Sequence, residues 1–233
     1  MSEKFEFDFS KPNDQEKFSE LSEEQKVEIE SDAYDDAHIE KQSRELVDKI
    51  KTILFELAES CDPNDERSIR EALKIKKDNE SENNSIKDRT IEGTDFLRDK
   101  KIVLVDDSLT VLRYEVPYLT VATNGNFEPI HYQAQSIEKI VEEILRKNPD
   151  VLLMDFTLSY DPALTGDEVI ESLREAGFSG KIVGYSSDTK NDSKFIEAGA
   201  DFCVEKGNTM YVREGKVNTI VDLANKLEKA EAE

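Results

Sequence analysis

From about Lys101 to Lys229 the sequence predicts a doubly wound α/β domain with a five-stranded parallel sheet, on the strength of three observations. Short apolar runs such as Ile102-Val103-Leu104-Val105 and Val151-Leu152-Leu153-Met154 lack the alternation of half-exposed strands and read as strands buried on both faces. Stretches with apolar residues at three- and four-residue steps alternate with these runs. Both runs end in aspartate, and in open parallel sheets ligands gather outside the carboxyl ends of the strands.

The elements follow in order. Lys101 to Val105 is the first strand; Ser108 caps a helix to about Thr123, in which Pro117 predicts a kink or interruption and Asn124-Gly125-Asn126 a stop. Pro129 to Ala134 is the second strand. Ser136 caps a helix from Ile137 to Lys147, whose stripe is Ile137, Ile140, Val141, Ile144 and Leu145. Pro149-Asp150 breaks it before the third strand, which leads to Asp155. A loop from Thr157 to Gly166 precedes a helix over about Asp167 to Ala176, stopped by Gly177. Lys181 to Tyr185 is the fourth strand, Asp192 or Ser193 opens a short helix to Ala198, and Phe202 to Val204 is the fifth strand. Val217 to Lys229 closes the domain with the stripe Ile220, Val221, Leu223, Ala224 and Leu227.

The first hundred residues have a different pattern. Residues 1–32 scatter Phe5, Phe7, Phe9, Phe18 and Leu21 among acids with no sustained period and read as a flexible acidic arm. Residues 33–77 are a helical segment: Ile39, Leu46, Val47, Ile50, Ile53, Leu54 and Leu57 form one stripe up to Glu59, Asp62-Pro63-Asn64-Asp65 breaks it, and a second, weaker helix follows from Glu66 to about Lys77. Residues 78–100 read as a polar linker. One helix cannot bury such a stripe alone, so the pair is expected to pack on a second copy, on the C-terminal domain or on a partner.

A net charge of −22 across 233 residues disfavours nucleic acid and anionic membrane surfaces, both of which call for clustered Lys and Arg. The start Met1-Ser2-Glu3-Lys4 carries no apolar leader and no stretch reaches spanning length, so a cytoplasmic protein is expected. Cys61 and Cys203 lack metal-ligand spacing and read as reduced structural thiols.

If the first and third strands are neighbours, Asp106, Asp107 and Asp155 converge. Three carboxylates at close range raise one another's pKa unless a counter-charge intervenes. A divalent cation with hard oxygen ligands meets that need, and Mg²⁺ suits two or three carboxylates.

Four segments together, Ile102-Val-Leu-Val-Asp106-Asp107-Ser108, Val151-Leu-Leu-Met-Asp155, Gly184-Tyr185-Ser186-Ser187 and Gly199-Ala200-Asp201-Phe202-Cys203-Val204-Glu205-Lys206, resemble the receiver domain of two-component response regulators. The resemblance covers about residues 101–229 and leaves out the first hundred. It implies a flavodoxin-like receiver fold, behind the N-terminal extension that the residue pattern reads as α-helical and partly disordered. It implies that Asp155 accepts a phosphoryl group from the phosphohistidine of a histidine kinase or histidine phosphotransfer protein. By the same resemblance Asp106, Asp107, Asp155 and the backbone carbonyl of Thr157 hold Mg²⁺, while Ser186 and Lys206 bind the phosphoryl group. Those roles agree with elementary chemistry, since phosphoryl transfer needs positioning and charge neutralisation more than covalent work.

The sequence also departs from the family. Cys203 stands where an aromatic switch residue is usual, and Gly207 replaces the proline after the lysine. The loop from Thr157 to Gly166 is longer than usual and adds Tyr160 and Asp161, and Met210 to Gly215 is an insertion expected to form a small hairpin.

Other residues have plainer readings. Cys203 reads as a small hydrophobe and His131 as an ordinary half-buried strand histidine. Ala37 to Ser43 faintly resembles a histidine phosphotransfer signature, but Gln42 replaces its glycine, so His38 reads as an exposed helical histidine. Two other functions compete with the phosphorylated switch. One is a degenerate receiver that binds partners without phosphorylation. The other is an aspartate-based phosphatase, which would need a second acid where Thr157 stands. Output is expected through a protein target or homodimer contacted by the N-terminal helices.

Overall fold

The computed structural model describes residues 23–61, 69–74, 91–133, 135–160, 163–206 and 213–232. The chain divides into two compact units, Met1–Glu45 and Leu46–Glu233. In the first unit the described part is helical from Glu23, the start of α1 (Glu23–Glu59). The expected arm therefore ends ten residues early, because Glu, Gln and Lys favour helix on their own and need no apolar stripe to start one. An exposed ion pair of Lys41 with Glu45, one turn apart at 3.9 Å, belongs to this part.

The second unit holds a five-stranded sheet, β1 (Ile102–Asp106), β2 (Phe127–His131), β3 (Val151–Met154), β6 (Lys181–Ser186) and β7 (Phe202–Glu205). Their order is β2-β1-β3-β6-β7, and every pairing is parallel. The strand at β2 starts and ends earlier than expected, since its register with β1 runs from Ile102 opposite Phe127 to Asp106 opposite His131. Pro129 is tolerated there because β2 is an edge strand.

The side chains of β1 alternate between two cores. Ile102 and Leu104 join a cluster with Leu112, Val116 and Leu119 of α2 (Leu109–Ala122) and Ile220, Leu223 and Leu227 of α6 (Arg213–Ala232). Val103 and Val105 face Ile140 and Ile144 of α3 (Ile137–Lys147), Val169, Ile170 and Leu173 of α4 (Gly166–Glu175) and Phe195 of α5 (Asp192–Glu197). All five residues of β1 are buried, which is why the apolar run showed no alternation.

An apolar stripe needs a cover, and of the three covers expected the α2 face of the sheet supplies one: Ile50, Ile53, Leu54, Leu57 and Ala58 of α1, together with Ile91 and Leu97, are buried in the first core. Three expectations are corrected. Helix α2 is not interrupted at Pro117, where buried Val116 and Leu119 outweigh the loss of one hydrogen-bond donor. The loop after Asp155 is an antiparallel pair, β4 (Thr157–Tyr160) with β5 (Ala163–Thr165). Finally, α6 begins at Arg213, inside the span expected to be a hairpin.

Several expectations lie outside the described residues. They are the breaker at 62–65, most of the second helix beyond its described turn at 69–74, the linker at 78–88, Asp161, and residues 207–212 with Gly207. The side chains of His38 and Tyr160 are likewise outside them.

Gly166 sets the hairpin against the third strand. Its amide donates to the Phe156 carbonyl at 2.7 Å, and a methyl group at its Cα would collide with the Asp155 backbone carbonyl oxygen. Backbone cannot yield as a flexible side chain does. We expect Gly166→Ala to destabilise the chain by about 1–3 kcal/mol, measured by urea unfolding.

Candidate functional site

The register places the chemistry at one sheet edge. Because β1 pairs with β3 from Ile102 opposite Val151 to Val105 opposite Met154, Asp106 and Asp155 emerge side by side at the carboxyl ends. The Asp155 amide donates to the Val105 carbonyl at 3.0 Å and continues the ladder one step further. One oxygen from each of Asp106, Asp107 and Asp155 lies within 4.8 Å of the others.

The Lys206 ammonium closes this cluster. It follows β7, its amide donates to the Ser186 carbonyl at 2.8 Å, and its side chain turns back along the strand ends. Nζ donates to Asp106 Oδ2 at 2.6 Å and to Asp155 Oδ1 at 2.5 Å. It also lies 5.5 Å from the centre of the Tyr185 ring. Asp106 is 1 % exposed and Lys206 7 %, so this pairing is made in a largely water-free setting. The other Asp106 oxygen, Oδ1, accepts from the Ser108 amide at 2.8 Å.

The electrostatics follow from burial and crowding. Burial raises the Asp107 pKa to about 6, with the charges of Asp106 and Asp155 adding to it. Burial likewise raises Asp155 to about 6 against the pull of Lys206. Burial alone would lower the Lys206 pKa, but Asp106 and Asp155 outweigh it and the net shift is upward.

A pH dependence follows for the metal-free chain. Asp107 and Asp155 start from 3.8 unfolded and reach about 6 folded, so between those values the folded state holds more protons than the unfolded state. Their contribution to stability therefore falls as pH rises through that window. Urea midpoints in chelator should show this decline, and Asp107→Asn should flatten it.

Three carboxylates against one ammonium leave two formal negative charges on hard oxygen donors, a donor set suited to a hard divalent cation. Of the other expected residues, Ser186 ends β6 beside β3 and is 7 % exposed, its Oγ accepting from the Asp188 amide at 3.2 Å. Thr157 opens β4 two residues beyond Asp155 and pairs with Thr165. Cys203 lies opposite Gly184 on β7, half-buried, and burial pushes its thiol up to about 11. That thiol stays protonated near neutral pH and is a poor nucleophile.

Sequence reasoning missed two neighbours of the site. Tyr185 Oη donates to Glu115 Oε1 at 2.8 Å, and both residues are buried. Glu115 interrupts the apolar face of α2 between Leu112 and Leu119, and a glutamate inside such a stripe is the signal that could have found it. His131 is the second. Its Nε2 lies 3.1 Å from the backbone carbonyl of Asp107, and its position opposite Asp106 shows only once the register is known.

Among the described residues no helix is long and apolar enough to cross a membrane. No family model matches the chain. No curated protein matches it either. Solved structures do. The receiver domain of the histidine kinase CKI1 from Arabidopsis thaliana, in complex with Mg²⁺ and BeF3⁻, is 19% identical; the match covers 60% of this chain and 95% of that one at a TM-score of 0.43. A signal receiver domain from Vibrio parahaemolyticus is 17% identical, over 57% of this chain and 95% of that one at a TM-score of 0.40. The BeF3-activated DrrB receiver domain is 20% identical, over 57% and 98% of the two chains at a TM-score of 0.39. Each of these similar structures is a receiver domain.

Proposed function

We propose that this chain is a phosphoryl-accepting switch of the response-regulator kind, with Asp155 as the acceptor. The observation that supports this reading most is the convergence of Asp106, Asp107 and Asp155 on Lys206 at the carboxyl ends of the parallel strands. In the transfer, an Asp155 carboxylate oxygen attacks phosphorus. The oxygen–phosphorus bond forms as the phosphorus–nitrogen bond of a phosphohistidine breaks; the electron pair stays on that nitrogen, and the imidazole leaves neutral with the proton it already carries on its other ring nitrogen. The donor is a histidine kinase or a histidine phosphotransfer protein.

The chain's own groups divide the work. At neutral pH Asp155 is mostly ionised even with its pKa raised to about 6, so it is available as the nucleophile. Lys206, held between two carboxylates, pairs with a phosphoryl oxygen once Asp155 has reacted. The Ser186 hydroxyl, at the end of the neighbouring strand, donates to another. Asp106, Asp107, Asp155 and the Thr157 carbonyl would hold Mg²⁺, which supplies charge neutralisation to the phosphoryl group when bound. Phosphorylation then alters the surface presented to a protein target.

The test is intact-mass analysis after incubation with acetyl phosphate, with Mg²⁺ or with chelator. A phosphoryl adduct that requires the metal supports the switch. No adduct with acetyl phosphate or with a phosphorylated histidine kinase would overturn it and leave a phosphorylation-independent binding module.

A further inference from the structure

The C-terminal end of α1 is wired to the backbone of the acidic site through one imidazole. The Asp107 carbonyl can only accept, so the proton between it and His131 sits on Nε2, at 3.1 Å. That leaves Nδ1 as the acceptor on the far side of the ring. It lies 3.1 Å from the Gln133 side-chain nitrogen, which donates to it, whereas the Ser60 hydroxyl, 3.2 Å away, donates its proton to the Leu57 carbonyl at 2.8 Å. The same Gln133 nitrogen donates to the Ser60 backbone carbonyl. Ser60 directly follows α1, its amide bonded back to Glu56 at 3.1 Å, and the Leu57 and Ala58 side chains just before it are buried in the core.

The surroundings make this seam adjustable. A cleft of about 530 Å³ runs between α1 and the edge strand β2, lined by Thr52, Glu56, Ser60, His131 and Gln133 among others. At the Ser60 end, polar contacts around the imidazole add to the packing of Leu57 and Ala58, whereas Ile50, Ile53 and Leu54 hold the preceding turns by packing.

We propose that His131 is a positioning residue that couples cation binding at Asp106, Asp107 and Asp155 to the seating of the last turn of α1; this rests on the metal-binding part of the function proposed above. A cation at Asp107 sets the path of that residue's backbone, and the Asp107 carbonyl is the group His131 grips. The coupling is reciprocal: if the cation steadies Ser60, the seated helix strengthens cation binding by the same factor. Residues that orient a ligand-bearing backbone commonly alter metal affinity by about tenfold or more.

The experiment uses the full chain and Mg²⁺ alone, with calorimetric titration for affinity and amide hydrogen exchange at residues 57–61 for the helix end. In the wild type, Mg²⁺ is expected to bind and to slow exchange at those residues. His131→Ala should bind Mg²⁺ about tenfold more weakly and lose that slowing. His131→Gln, whose amide can still donate to the Asp107 carbonyl, should recover part of both. Gln133→Ala cuts the link on the helix side at an exposed position and should lose the slowing while remaining folded. Unchanged affinity and unchanged slowing in His131→Ala and Gln133→Ala would overturn the coupling while leaving the metal site intact. A wild type that binds no Mg²⁺ would instead overturn the metal site, and the coupling with it.

Discussion

Lys206→Met should lower the stability of the metal-free chain by about 3–5 kcal/mol, the effect of removing one partner from a buried ion pair. Lys206 is 7 % exposed, and its ammonium touches Asp106 at 2.6 Å and Asp155 at 2.5 Å. Methionine keeps most of the length and packing of lysine but none of its charge, so two carboxylates are left facing each other and Asp107 with no cation. The loss should show in urea unfolding followed by circular dichroism, the chain having no tryptophan to report by fluorescence. Adding Mg²⁺ should return part of it, because a ligand that binds only the folded state stabilises that state. A loss below about 1 kcal/mol would mean that water, rather than Lys206, neutralises the cluster.

Asp155→Asn should abolish the phosphoryl adduct while leaving the chain folded. An amide is close to a carboxylate in shape, its oxygen can still accept from Lys206, and its backbone link to Val105 does not involve the side chain. What it lacks is a nucleophilic oxygen able to form an acyl phosphate. Asp107→Asn should instead slow adduct formation without ending it, since Asp107 is proposed to hold the metal and not to react. An adduct of undiminished yield in Asp155→Asn would move the acceptor to another residue; peptide mapping of the adduct would then name it.

Much of this protein is written in local sequence. The buried strands were legible because β1 and β3 are apolar on both faces, and the helices of the sheet because their stripes repeat at helical spacing. Asp106 and Asp155 were legible for the same reason, each being the first polar residue after a buried run, and Asp107 directly follows Asp106. Caps and stops also read locally: Ser108 accepts from the Val111 amide, and Gly177 takes a positive φ of 84°.

The tertiary structure decided what depends on residues distant in the chain. A stripe says that a helix needs a cover, but not which one; only packing placed Ile50, Ile53 and Leu57 against the α2 side of the sheet and drew Ile91 and Leu97 into the same core. Pro117 signals a break to any local reading, and burial of Val116 and Leu119 overrode it. Register, set by pairing between strands, put His131 opposite Asp106 and so turned an ordinary strand histidine into a link between the acidic site and α1. The sequence by itself determined which elements form and which side chains end them, because those follow from neighbours a few residues away; the tertiary structure alone decided what covers α1 and what touches the site, because hydrophobic burial is non-directional and takes whichever complementary face the topology brings near.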